Sequence, residues 1–223
     1  MDIKIRRTNH WQIYSVTLPP SAYILDALEE IHRQDPTLLF RHSCHHGSCG
    51  SCGIRINGKE GLACTTQLGD ILQKQDVIVI EPLRNFPLIG DLVVDFSPMF
   101  AALNQINLPL VQQNNQSPII DYQRFEDCIE CGLCISACPI SGSNSRYIGP
   151  VSLAAAWRLI KLDQPHLDRS FIEELIDKED GVWRCHAAFE CSEVCPSNVD
   201  PAKGIMSLRQ FILMQNINPG GRK

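Results

Sequence analysis

Residues 43–53 read Ser-Cys-His-His-Gly-Ser-Cys-Gly-Ser-Cys-Gly, which places three cysteines at C-x4-C-x2-C spacing among three glycines. Plant-type [2Fe–2S] sites use this spacing together with a fourth, more distant cysteine. Glycine adopts positive φ at little cost, and a loop around a cluster must turn several N–H groups towards the sulfurs. The fourth candidate in this part of the chain is Cys64. We therefore predict a [2Fe–2S] cluster bound by Cys44, Cys49, Cys52 and Cys64.

Zinc is the plainer alternative for this loop, since four thiolates also make a structural zinc site. Zinc sites typically pair two C-x2-C knuckles, and the C-x4-C-x2-C loop does not. The spacing therefore favours iron and sulfide over zinc.

A second cysteine run, at residues 128–139, has the spacing C-x2-C-x2-C-x3-C-Pro. In bacterial two-cluster ferredoxins the fourth cysteine of this run ligates the other cluster. A matching half follows, but Ala188 stands where its middle cysteine is due. Cross-ligation then predicts a complete set for [4Fe–4S], namely Cys128, Cys131, Cys134 and Cys195. Three thiolates remain for the last cluster: Cys138, Cys185 and Cys191.

The missing thiolate at Ala188 decides the predicted type of the last cluster. A cubane corner without a protein ligand readily loses its iron, so we expect [3Fe–4S]. One alternative is a [4Fe–4S] cluster whose fourth iron binds water or another side chain, such as His186 next to Cys185. The three predicted sets account for all eleven cysteines.

Composition bounds the possible functions. The chain has 223 residues, 44% of them hydrophobic, and a formal charge of −5, which argues against nucleic acid as a partner. An odd number of cysteines fits a closed disulfide framework poorly. The first eight residues alternate between charged and apolar side chains and contain no continuous apolar run, so we expect no secretory signal. Since no apolar run approaches the ~18 residues of a spanning helix, we expect no transmembrane segment.

The pattern around the first loop is that of a small β-rich domain. Ser21 is a predicted N-cap, and a helix follows from the apolar spacing of Ile24, Ala27, Leu28 and Ile31. The pair Asn57-Gly58 predicts a hairpin, and residues 77–80 predict a buried strand. The remaining predicted strands are residues 3–6, 12–18, 53–56 and 62–64.

The chain downstream is predicted to be mostly helical. We expect helices at residues 92–104, 153–162 and 171–177, and a last helix after Asp200-Pro201 that buries Ile205, Leu208, Phe211 and Ile212. The predicted class is α+β, with a β-grasp [2Fe–2S] ferredoxin domain at 1–83, a connector at 84–123 and an α-helical dicluster ferredoxin domain at 124–223.

This arrangement resembles the iron–sulfur subunit of succinate dehydrogenase and fumarate reductase, the complex II family. Its most specific matches are residues 41–44, 49–53, 57–64 and the two later cysteine runs, and residues 148–150 also fit. The resemblance implies an oxidoreductase subunit that relays electrons between the FAD of a flavoprotein partner and a quinone at membrane anchor subunits. It implies a peripheral position on the cytoplasmic face of the inner membrane, and no catalytic residue in this chain.

The resemblance also bears on the electron acceptor. Pro139 and His186 match positions that lie near quinone in the family. The stretch after Pro139 lacks the tryptophan pair of succinate–quinone enzymes, which favours a fumarate reductase or a menaquinone-type enzyme. His42 and His45 stand where relatives often carry arginine, and we expect them to be a solvated pair.

Two other functions remain as alternatives. An electron carrier of the same build could serve another flavin dehydrogenase or a thiol-linked reductase. A zinc-stabilised interaction module is a third possibility, from a different class, and it predicts zinc with no paramagnetic signal on reduction.

Overall fold

The structure is a computed structural model that describes residues 1–73, 77–106, 127–143, 146–161 and 169–217, without the side chains of 169–171 and 216. The chain forms two compact units. The first consists of Met1–Phe96 and Ile129–Ala137, and the second of Ser97–Cys128 and Cys138–Lys223. The predicted boundaries at residues 83 and 123 stay a prediction.

The first unit is built on a mixed five-stranded sheet in the order β2-β1-β5-β3-β4. β1 and β5 are parallel, whereas the other neighbours are antiparallel. One long helix and one short helix lie between its strands along the chain, and a hairpin and a further short helix, described below, also belong to this unit. The elements are β1 (Asp2–Arg6), β2 (Trp11–Ser15), α1 (Ile24–Gln34), β3 (Gly53–Ile56), β4 (Lys59–Leu62), α2 (Leu68–Leu72) and β5 (Val77–Glu81).

Apolar alternation determines which faces of the sheet and of α1 are buried. Ile3 and Ile5 of β1 and Ile78 and Ile80 of β5 are fully buried, because alternate side chains point to one side of a strand. The predicted apolar stripe of α1 is buried as expected. The predicted buried strand at 77–80 is confirmed for Ile78 and Ile80, whereas Val77 is 41% exposed, since β5 buries only one face.

The start of α1 differs from the prediction. Ser21 is not the N-cap, because the Ala22 N–H donates to the Pro19 carbonyl in a turn that precedes the helix. Tyr23 takes the N-cap position, and its backbone N–H donates to the Asp26 carboxylate over 2.8 Å. The helix therefore begins at Ile24, with the acidic partner in its first turn.

The predicted helix at 92–104 is wrong in its first half. Val93 and Val94 form the strand β7, which pairs with the preceding strand β6 (Leu88–Gly90) in a hairpin, and the helix α3 begins only at Ser97. The β-branched Val93 and Val94 favour a strand. Asp91 has φ +45°, which turns the chain back on itself.

A buried Arg7 network joins three parts of the first unit. Arg7 Nη1 donates to Asp35 Oδ2 over 2.8 Å at the end of α1, and Arg7 Nε lies 3.0 Å from Asp91 Oδ2 in the β6–β7 turn. Tyr14 Oη also donates to Asp35 over 2.7 Å. The network ties the sheet to both the helix and the hairpin.

The described part of the second unit is helical. It contains α3 (Ser97–Gln105), α5 (Gly149–Lys161), α6 (Arg169–Ile176), a short 3-10 helix (Val182–Arg184), α7 (Glu190–Glu193) and α8 (Pro201–Ile217), and α4 (Leu133–Ala137) belongs to the first unit. The core of the second unit packs α5 against α8 through Leu153, Leu159, Ile205 and Leu208. Among the described residues, no helix combines the length and apolar character needed to cross a membrane.

Candidate iron–sulfur cluster sites

The first cysteine loop folds around the sulfur of Cys44. The backbone N–H groups of Ser48 and Cys49 each donate to Cys44 Sγ over 3.3 Å. Backbone donation from His46, and then from the Cys49 side chain and the Cys49 and Ser48 N–H groups, lowers the pKa of the Cys44 thiol to about 6. Hydrogen bonds to the charged form favour the thiolate, which is the form that binds metal.

The other two cysteines of this set form a buried pair. Cys52 and Cys64 are each 4% exposed, and the Ala63 N–H donates to the Cys52 carbonyl over 3.1 Å. Burial, together with a hydrogen bond to Cys64 and the nearby Cys49, raises the pKa of Cys52 to about 12. Two buried thiolates need positive charge close by, and iron supplies it. The structure thus brings all four predicted [2Fe–2S] residues together, and the donor set fits the cluster.

Gly50 explains why the loop is rich in glycine. It has φ +69°, and a Cβ added there would lie 2.7 Å from Cys131 Cβ and 2.9 Å from the Ile129 carbonyl oxygen. Real Cβ atoms do not approach other atoms so closely. A glycine is required here for both its backbone conformation and its lack of a side chain.

A buried polar group holds α4 to the sheet of the first unit. Ser136 Oγ donates to Glu60 Oε1 over 2.8 Å and accepts from the Arg84 N–H over 2.9 Å. Ser136 is fully buried and Glu60 is 7% exposed. Because α4 carries Cys134, this bond fixes the helix on which a predicted [4Fe–4S] ligand stands.

The three cysteines predicted to bind the last cluster line one cavity in the second unit. The cavity contains about 340 Å³ of empty space including its mouth, and Ala188 lies in its wall beside the thiols. Pro139 and His186, the two residues predicted to lie near quinone, also line this cavity, and so does Tyr147. The thiols concerned are those of Cys138, Cys185 and Cys191.

The chemistry of this cavity fits a cluster with three thiolate ligands. Burial, together with the charges of Cys138 and Cys185, raises the pKa of Cys191 to about 12. Tyr147 Oη is buried and has no hydrogen-bond partner among the described residues. Burial, and then the charges of the same three cysteines, raise the pKa of Tyr147 above its usual range. A buried hydroxyl without a partner is rare. A sulfide of a bound cluster would accept its hydrogen bond.

The predicted [4Fe–4S] ligands are distributed over the two units. Cys131 and Cys134 belong to the first unit, whereas Cys128 and Cys195 belong to the second. Within the second unit, the Val199 N–H donates a hydrogen bond to Cys195 Sγ over 3.3 Å. Hydrogen bonds of this kind orient thiolate ligands of a metal site. All eleven cysteines lie in the described ranges, and none of them forms a disulfide.

Sequence reasoning missed Tyr147 and Glu29. Tyr147 stands in a polar stretch after the first dicluster run, and no spacing rule connects it with the three cysteines. Glu29 lies on α1, and its carboxylate is 3.7 Å from His42 and 3.6 Å from His45. His45 Nε2 lies 3.0 Å from His42 Nδ1, so the expected solvated pair is in fact a cluster of three side chains.

Two protein families match the chain, one in each half of the sequence. Residues 2–101 match the family described as 2Fe-2S iron-sulfur cluster binding domain, and residues 124–199 match the 4Fe-4S dicluster domain. A sheet domain of the first kind followed by a helical domain of the second defines an electron-transfer protein of the iron–sulfur class. The predicted fold class and the predicted iron–sulfur cofactors are confirmed.

Individual relatives narrow this class to a family. The chain is 39% identical to the fumarate reductase iron-sulfur subunit of Mycobacterium tuberculosis, over 87% of this chain and 83% of that protein. It is 33% identical to the succinate dehydrogenase iron-sulfur subunit of Coxiella burnetii, over 86% and 84%. A chain of the Mycobacterium smegmatis Sdh1 complex in the apo form superposes with a TM-score of 0.83, at 25% identity and 98% coverage of both. The chain belongs to the family of succinate dehydrogenase and fumarate reductase iron–sulfur subunits.

Proposed function

We propose that this chain relays electrons between the FAD of a flavoprotein subunit and a membrane quinone, as part of a complex that interconverts succinate and fumarate. The observation that supports this most strongly is the unequal pair of cysteine sites, one complete set in the first unit and one three-thiolate cavity in the second. Unequal clusters suit a directional relay, because cluster type is one determinant of reduction potential.

The proposed ligands follow the cysteine spacing. Four residues of the first unit bind the [2Fe–2S] cluster (Cys44, Cys49, Cys52 and Cys64). The [4Fe–4S] cluster is bound by Cys128, Cys131, Cys134 and Cys195, and the [3Fe–4S] cluster by Cys138, Cys185 and Cys191. When bound, the clusters supply the one-electron carriers. The chain itself contributes thiolates, backbone N–H groups such as those of Ser48 and Cys49 that donate to Cys44 Sγ, and a largely apolar cavity wall around the last site.

The quinone is proposed to approach at the three-cysteine cavity. Pro139 and His186 line the same cavity as the three thiols, which supports the expectation that both stand near quinone. Phe189 also lines it and is 49% exposed. On α8 of the same unit, Leu213 and Met214 are 50% and 58% exposed. Exposed apolar side chains of this kind favour a surface that docks onto anchor subunits.

The proposed location follows from those partners. A chain that receives electrons from a flavoprotein and delivers them to quinone is expected at the membrane surface, bound to anchor subunits rather than inserted. We place it on the cytoplasmic face of the inner membrane, as a peripheral component of a complex. The substrate chemistry is assigned to the flavoprotein, because this chain's functional residues are electron-transfer ligands.

Purification of the tagged chain from host membranes in mild detergent tests this function. We expect a flavoprotein with bound FAD and at least one apolar anchor subunit to co-purify. Succinate should reduce the clusters of this preparation, and fumarate should oxidise them again, as followed by electron paramagnetic resonance. A chain recovered without a flavoprotein, or clusters that dithionite reduces and neither substrate affects, would overturn the proposal.

A matched variant tests the order of the relay. Cys49→Ser should remove the [2Fe–2S] signal and slow the reduction of the three-iron cluster by succinate, because the first carrier is missing. Dithionite should still reduce the three-iron cluster of this variant. Unchanged reduction by succinate would contradict the proposed path through the first unit.

A further inference from the structure

The side chains of Glu29, His42 and His45 meet at the surface of the first unit, beside the first cysteine loop. His42 Nδ1 lies 3.0 Å from His45 Nε2, and Glu29 Oε1 lies 3.7 Å and 3.6 Å from these two nitrogens. The three distances join the same three atoms, one from each side chain. Two imidazole nitrogens and one carboxylate oxygen are a donor set that zinc and similar divalent transition metals prefer.

The triangle formed by His42 Nδ1, His45 Nε2 and Glu29 Oε1 has the size expected for three ligand atoms around one zinc ion. The point equidistant from its three corners lies about 2.0 Å from each atom, close to the Zn–N and Zn–O bond lengths of about 2.0–2.2 Å. A metal slightly outside this plane would keep all three bonds and leave a coordination position free. That position would face solvent, because the three side chains are between 28% and 47% exposed.

The surrounding contacts hold the rings in this arrangement. The His42 ring stacks on Phe40 at 5.2 Å between centroids and meets the His45 ring edge-on at 5.0 Å. His45 has φ +62°, a conformation that histidine adopts more readily than most residues. Glu29 stands on α1, whose neighbouring Leu28 is buried and anchors the helix. The ligands thus come from two segments with defined positions.

We infer that Glu29, His42 and His45 form a binding site for one divalent transition-metal ion, with Zn²⁺ as the expected occupant. His45 directly follows Cys44, a proposed ligand of the [2Fe–2S] cluster, so the ion would place positive charge beside that cluster. Reduction adds negative charge to a cluster, and a nearby cation favours it. Zn²⁺ at this site therefore raises the reduction potential of the [2Fe–2S] cluster. This consequence rests on the proposed function, because it requires the proposed cluster ligands. The metal site itself does not depend on them.

Zn²⁺ binding to the full chain with its clusters in place tests the inference. After equilibrium dialysis against micromolar Zn²⁺, we expect one Zn²⁺ per chain with the iron content unchanged. Glu29→Gln and His45→Asn each remove a ligand and should weaken binding by on the order of 100-fold or more, at or above the upper end of the roughly 10–100-fold that loss of an outer-shell partner costs. Asparagine is chosen at position 45 because it tolerates positive φ. His10→Gln, at an exposed histidine elsewhere in the unit, should bind as the wild type does.

The outcomes separate this site from zinc that displaces iron at the cysteines. Wild-type protein that binds no Zn²⁺, or binding that survives both variants, overturns the inference, as does zinc gained only with loss of iron. Redox titration gives a second readout. Zn²⁺ should raise the [2Fe–2S] potential of the wild type and of His10→Gln and leave that of Glu29→Gln unchanged. If stoichiometric binding depends on the three residues while the potential stays constant, the site stands and its proposed effect on the cluster is wrong.

Discussion

Two of the three predicted cluster sites each lie within one unit: the [2Fe–2S] site in the first unit and the three-cysteine cavity in the second. They differ in the number of thiolate ligands and in the groups that surround these ligands. The first site has four cysteines, a glycine-rich loop and backbone N–H groups that donate to Cys44. The cavity of the second unit has three cysteines, an alanine at the fourth position and the buried hydroxyl of Tyr147. The first site is thus defined by backbone geometry, and the second by one missing thiolate.

The largest effect is expected from Gly50→Ala in the first site. The new Cβ would clash with Cys131 and the Ile129 carbonyl, and the backbone would be strained at φ +69°. We expect the free energy of unfolding to fall by about 3 kcal/mol or more, with loss of the [2Fe–2S] signal. Thermal unfolding and iron analysis measure both.

Gly58→Ala is the matched control for that change. Gly58 also has positive φ, +83°, but the nearest atom to an added Cβ is Arg55 Nη2 at 3.9 Å. Only the backbone strain of about 1–2 kcal/mol should then remain. Equal losses in the two variants would show that the close approach at Gly50 is unimportant.

Ala188→Cys should make the second site resemble the first. A fourth thiolate in the cavity wall should convert the three-iron cluster to [4Fe–4S], so the signal of the oxidised three-iron cluster disappears. Ala188→Val adds volume without a thiolate and should keep a three-iron cluster. Conversion in both variants, or in neither, would contradict the role assigned to the missing cysteine.

Acid should weaken the first unit through the Arg7 network. Hydrogen bonds from Thr37, Tyr14 and Arg7 hold the pKa of Asp35 well below its usual range. A carboxylate with a depressed pKa in the folded state stabilises the protein above its unfolded pKa of about 3.9, and this contribution is lost as the pH falls below that value. The free energy of unfolding should therefore decrease between about pH 5 and pH 2.

Asp35→Asn should lower stability at pH 7 and flatten that decrease. Asp70→Asn, at an exposed position on α2, should keep the wild-type slope. Urea unfolding followed by near-ultraviolet circular dichroism at several pH values measures the slopes. A variant of Asp35 that retains the full acid dependence would show that other carboxylates cause it.

The smallest effect is expected from Tyr147→Phe in the second site. Removing the buried hydroxyl should lower the reduction potential of the three-iron cluster, because a hydrogen bond to sulfide stabilises the reduced form. The iron content should not change. An unaltered potential would mean that Tyr147 Oη does not donate to the cluster.

Cysteine spacing predicted more of this protein than periodicity did. The ligand sets could be proposed from sequence because each cluster type requires a fixed spacing of thiolates. The hairpin at 88–94 was not predicted, because its apolar residues also fit a helix and the left-handed conformation falls on Asp91 and not on the neighbouring Gly90. Contacts between distant residues were missed for a similar reason. The Ser136–Glu60 bond joins positions that no local pattern connects.

The central claim is that the chain binds three unequal clusters, and iron counting combined with Mössbauer and paramagnetic resonance spectroscopy tests it most directly. The account predicts about nine iron atoms per chain, with a [2Fe–2S], a [4Fe–4S] and, in the oxidised protein, a paramagnetic [3Fe–4S] cluster. About ten iron atoms and two four-iron clusters in the untreated wild type would contradict it.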